Sequence, residues 1–97
     1  MTKEEFTYLF SQNPKTFEEI KHPLKEQYKR RDLCAFVLLD QLVPPKGSRP
    51  MVDSAEHDRI FLDANLDQLA TIATKEDIEF LSACGVFEEY GDLCMYV

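Results

Sequence analysis

Apolar side chains in the first third of the chain recur at three- and four-residue steps, and each run opens on a capping signal. Thr2 with Glu5 forms a capping-box pair, and Phe6, Leu9 and Phe10 follow at helical spacing. A helix over 3–11 is predicted, closed by Asn13-Pro14. Thr16 with Glu19 repeats the signal ahead of Phe17, Ile20 and Leu24. Pro23 lacks a backbone donor, so a kink or a new helix is expected there. Leu24, Tyr28, Cys34, Ala35, Leu38 and Leu42 continue the 3.6-residue period, which predicts a helix over about 24–43. The run Cys34-Ala-Phe-Val-Leu-Leu39 is almost wholly apolar and carries little phase, so a strand over 33–39 is its rival. Pro44-Pro45 ends the element, and a loop follows through Met51.

The second half reads differently. Arg59 to Asp63 is a short strand. Residues 66–73 are helical, capped by Asn65, and Thr74 with Asp77 starts a further helix carrying Ile78, Leu81 and Ala83. Gly85 suits the left-handed position after a helix. The tail predicts a hairpin of strands 86–90 and 93–97 around Gly91-Asp92. The whole is a single α+β domain over residues 1–97, its N-terminal helices packed on a small antiparallel sheet of about three strands. Leu-Asp-Gln-Leu occurs at 39–42 and again at 66–69, but the flanks do not match and no repeat is inferred.

Composition narrows the function. No apolar run reaches membrane-spanning length, and the polar, acidic start is unlike a secretory leader, so a cytoplasmic protein without a membrane partner is expected. Cys34, Cys84 and Cys94 are odd in number and lack a Cys-x-x-Cys pair; buried free thiols are expected. Charge is polarised. Residues 1–50 carry nine Lys/Arg against seven Asp/Glu, whereas residues 51–97 carry two against eleven. An acidic surface of this kind draws basic partners and repels nucleic acid.

The acid-rich stretch from Asp53 to Asp67 invites three readings. As a metal site it fails. Asp63, Asn65 and Asp67 match the first ligands of a calcium loop, but Gln68 stands where glycine is needed and Thr74 where a bidentate glutamate is needed. Asp53, Glu56, His57 and Asp58 lack a second histidine cluster. As an enzyme it lacks a nucleophile elbow, a phosphate loop and a dinucleotide fingerprint. No metal, cofactor or catalytic residue is assigned. A basic stripe of Lys21, Lys25 and Lys29-Arg30-Arg31 beside Tyr28 suggests nucleic-acid contact, yet the overall charge opposes it, and pairing with Glu18, Glu19, Glu26 and Asp32 accounts for the stripe.

The third reading is negativity itself. Carboxylates on a sheet and its adjoining helices can stand in for a row of phosphates. One group is Asp53, Glu56, Asp58, Asp63 and Asp67; the other is Glu76, Glu79, Glu88, Glu89 and Asp92. Asp63 falls on the same strand side as Phe61, which shields it, and Asp77 is spent on capping. In size, acidity and helix-plus-small-sheet organisation the chain resembles the acidic bacteriophage anti-CRISPR proteins, several of which act as DNA mimics. That group has no shared motif and lends no residue roles. The resemblance implies a monomeric inhibitor in the cytoplasm of an infected host, occupying the nucleic-acid channel of a basic protein or complex. The alternative is a small adaptor or regulatory subunit with an apolar patch around Tyr90, Met95 and Tyr96.

Overall fold

The computed structural model describes residues 1–12, 15–45 and 47–97. The Asn13-Pro14 break lies outside them, as does Lys46 of the loop after the third helix. Among these residues five helices precede and interrupt a four-stranded antiparallel sheet: α1 Lys3–Ser11, α2 Pro23–Tyr28, α3 Arg31–Leu42, β1 Val52–Glu56, β2 Arg59–Leu62, α4 Leu66–Ile72, α5 Lys75–Ala83, β3 Val86–Glu89 and β4 Asp92–Tyr96. The strand order is β1-β2-β4-β3.

The caps form as the spacing predicts. The Thr2 hydroxyl accepts from the Glu5 N–H, and the Glu5 carboxylate accepts in return from the Thr2 N–H. Thr74 and Asp77 do the same for α5, and the Asn65 side chain caps α4. Thr16 and Glu19 close a reciprocal pair around a single turn that does not propagate. The Lys25 ammonium docks on that turn, donating to the carbonyls of Phe17, Glu18 and Ile20 and lying 5.0 Å from the Phe17 ring centroid. Pro23 opens α2, with the His22 imidazole as its cap.

The single helix expected over 24–43 is two. Lys29 takes a left-handed backbone (φ 66°), ending α2, and α3 starts at Arg31. Leu24 and Ala35 lie eleven residues apart, about three full turns, so the period runs unbroken across the bend and gave no sign of it. The bend lets α2 fold back on α3, where the Cys34 thiol donates to the Leu24 carbonyl at 3.6 Å. The apolar run at 33–39 is helix, with Cys34, Ala35, Leu38 and Leu39 buried.

The sheet has one strand more than expected. Val52–Glu56 pairs antiparallel with β2 through a bulge between Val52 and Ser54. All five of its residues are exposed, so burial imposes no alternation on its sequence. The C-terminal hairpin turns at Tyr90-Gly91 rather than Gly91-Asp92. Both turn residues have positive φ, 52° and 82°, and Asp92 pairs with Glu89 as part of β4. Positive φ at both central positions is what the type I′ two-residue hairpin turn demands.

Register sorts the sheet residues into two faces. Ile60, Leu62, Val86, Leu93 and Met95 share the inner face, which packs under α1 and α5 with Phe6, Phe10, Ile78, Phe80 and Leu81. Met95 is therefore core and leaves the apolar surface patch proposed for it. No helix of the described residues is long and apolar enough to cross a membrane.

Candidate binding face

The opposite face of the sheet carries Arg59, Phe61, Phe87, Glu89, Asp92, Cys94 and Tyr96. Phe61 and Phe87 are half-buried, and Tyr96 is 54% exposed. Phe87 and Tyr96 stack with centroids 4.3 Å apart. The Arg59 guanidinium lies 5.1 Å from the Phe87 centroid and reaches diagonally over the sheet to the Glu89 carboxylate. The carboxylate that accepts its N–H raises the guanidinium pKa further above its ordinary value. Phe61 and Phe87 flank Cys94 in register. Cys94 is wholly buried on this outer face, and burial pushes its thiol up although Arg59 pulls the other way. The free-thiol reading holds for all three cysteines.

The acids divide by location. Arg59 pairs with Tyr96 and Leu62 with Leu93, so the β1–β2 turn and the β3–β4 turn sit at opposite ends of the sheet. Glu56 borders the first turn and Asp58 lies within it; there His57 has φ 27° and the Asp58 carbonyl accepts from the Val97 N–H. Asp92 borders the second turn, about 13 Å away by strand rise. Asp53 lies at the bulge of β1. Asp53, Glu56, Asp58 and Asp92 are all exposed, and among the described residues none forms an ion pair.

Other members of the two acid groups have local work. Asp63 lies just past the end of β2 and is half-buried, its carboxylate 3.1 Å from Arg49. Asp67 lies 3.9 Å from Lys3, and Glu79 lies 3.9 Å from Lys75. Glu88 accepts from the Gly91 N–H and so braces the turn. Glu89 holds Arg59. Glu76 is exposed in the first turn of α5, where its charge suits the helix dipole. The fold thus gathers Asp53, Glu56 and Asp58 on one hairpin, places Asp92 at the far end of the same sheet, and sets Glu76 and Glu79 on a separate helix.

The basic stripe also differs from expectation. Among the described residues, Lys21, Lys29, Arg30 and Arg31 form no ion pair with Glu18, Glu19, Glu26 or Asp32. Asp32 instead accepts from the Leu33 N–H, and Glu19 is held by Thr16, which keeps its carboxyl below the usual range. No group of three or more His, Cys, Asp or Glu among the described residues is placed to hold a metal ion.

Of the aromatic cluster the sequence singles out Tyr96 alone. Phe61 lies two residues from Arg59 on β2, Tyr96 two from Cys94 on β4, and Phe87 opposite Cys94 on β3, a pattern visible only once the three strands are set in register. Compared with protein-family models, with curated proteins and with solved structures, the chain matches none.

Proposed function

We propose that this chain is a non-enzymatic inhibitor that docks on a basic, nucleic-acid-binding surface of a protein partner in place of nucleic acid. The observation that carries this reading is the β1–β2 hairpin. Asp53 and Glu56, on an edge strand that buries nothing, and Asp58, in the turn that follows it, stand exposed and, among the described residues, without ion pairs, beside a sheet face left open by the helices. A groove built for nucleic acid offers cations to phosphates and flat surfaces to bases. Carboxylates along β1 and at Asp92 meet the first demand, and the Phe61, Phe87 and Tyr96 rings meet the second.

The resemblance to acidic anti-CRISPR proteins supplies the partner to try first, an RNA-guided surveillance complex in the host cytoplasm. Its affinity for the chain should fall steeply as salt rises, because exposed charge pairs are screened. DNA should compete for the same surface. A salt-insensitive complex that DNA does not displace would end this reading.

One observation favours the adaptor alternative. Tyr90 is 97% exposed and holds a left-handed backbone that asparagine or glycine adopts at lower cost. A large ring kept there is better suited to a partner than to the fold. In that case contact centres on Tyr90 and Tyr96, and binding varies little with salt.

A further inference from the structure

A groove of about 470 Å³ opens where the 15–18 segment, the start of α3, the end of α5 and the sheet edge meet. Four rings line it, Phe10, Phe17, Phe87 and Tyr96, together with two cations, Lys15 and Arg31. Among the described residues Glu18 is its one carboxylate. Neither cation forms an ion pair among the described residues. In a chain of net charge −7 this concavity therefore carries a positive excess.

The rings are arranged in a usable way. Phe87 is occupied on one side by Arg59 and stacks with Tyr96, which remains half exposed at the groove. Phe17 stands among the lining side chains with the Lys25 ammonium against its ring. A ligand that fits must bring negative charge for Lys15 and Arg31 and a flat ring for Tyr96. The volume lies in the range of small-molecule sites. A guanidinium and an ammonium satisfy phosphate oxygens, and an aromatic side chain accepts any base by stacking.

We infer that this groove binds an aromatic anion of nucleoside-monophosphate size, with Arg31 and Lys15 on its phosphate and Tyr96 on its ring. The site shares Phe87 and Tyr96, but no acid, with the face proposed to dock on a basic partner, so reversing the hairpin acids tests that reading without touching this one.

Isothermal titration calorimetry of the full chain with AMP, CMP, GMP and UMP tests it, with inorganic phosphate and adenosine as controls. Saturable binding of at least one mononucleotide is expected, tighter than either control by about tenfold or more. Arg31→Gln, Lys15→Gln and Tyr96→Leu should each weaken it about tenfold, while Asp53→Lys with Glu56→Lys should not weaken it. Circular dichroism identifies any variant that fails to fold, and Lys15→Gln, at an exposed position outside any helix or strand, keeps the test open if Arg31→Gln does not. Absence of saturable binding in the low-millimolar range overturns the inference. Binding of inorganic phosphate as tight as that of the nucleotides, or affinity untouched in the folded Arg31 and Lys15 variants, overturns it equally.

Discussion

The imidazole of His22 lies flat on the ring of Phe80, with centroids 4.1 Å apart and planes 11° apart. Its Nδ1 accepts from the Leu24 N–H at 3.1 Å, which places the proton of the neutral ring on Nε2, 3.9 Å from Asp77 Oδ1. The other oxygen of Asp77 caps α5 by accepting from the Thr74 N–H. One side chain thus ties the start of α2 to the start of α5 across a buried phenylalanine. His22→Ala removes both cap and stack, and should cost about 1–2 kcal/mol in urea denaturation. His22→Asn keeps a cap acceptor and should cost less. Equal losses in the two variants would assign the whole effect to the stack.

The three thiols predict a response to alkali. Cys34, Cys84 and Cys94 are buried, and burial raises each above the ordinary thiol value, Cys84 to about 12. Well below pH 9 the thiols are neutral in both states and cost the fold nothing. Between pH 9 and about 12 the unfolded chain loses the Cys84 proton while the folded chain keeps it, so stability falls as pH rises. Denaturation midpoints measured across this window should decline, and Cys84→Ala should flatten the decline. At pH 8 a thiol reagent should leave all three unmodified until denaturant is added.

Charge reversal should discriminate between acids that look alike in sequence. Asp53→Lys, Glu56→Lys and Asp58→Lys together should preserve the fold, because exposed changes usually cost within about 0.5 kcal/mol. They should reduce binding to a basic partner far more than reversal of Glu4 and Glu18 does. Reversing Glu79, Glu88 and Glu89 should destabilise instead, since these hold Lys75, the Gly91 N–H and Arg59. Thermal melts alongside affinity measurements separate the two outcomes. Full partner affinity in the folded hairpin variant would refute the mimicry reading.

Tyr90→Asn should stabilise the protein by about 0.5–1 kcal/mol, because Asn-Gly is the preferred pair for a turn with both φ values positive. The shift in denaturation midpoint measures it. If Tyr90 is a contact residue, the same variant should bind a partner more weakly while being more stable. A gain in stability with unchanged affinity would leave Tyr90 without a role in recognition.

Lys25→Met keeps the aliphatic stem and deletes the donors. The carbonyls of Phe17, Glu18 and Ile20 then lose their shared ammonium. A loss of about 1–3 kcal/mol is expected, with faster amide exchange over 16–20 as its local signature.

The sequence by itself determined what depends on neighbours along the chain. Thr2 with Glu5, Asn65, and Thr74 with Asp77 start helices because a hydroxyl or amide three residues from a free N–H closes a local ring whatever lies beyond. The buried positions Ile78, Leu81 and Ala83 of α5, the positive φ of Gly85 (100°) and the α+β class follow in the same way. The tertiary structure alone decided the rest. The bend at Lys29 has no glycine or proline to mark it and is held by α2 folding onto α3. β1 is a strand because β2 offers it a ladder, not because its exposed residues favour one. Cys94 is buried on the outer face because Phe61 and Phe87 arrive beside it from other strands. Asp53, Glu56 and Asp58 differ from Glu79 and Glu89 only in which cation the fold brings within reach, and distance between remote residues is not written in their spacing along the chain.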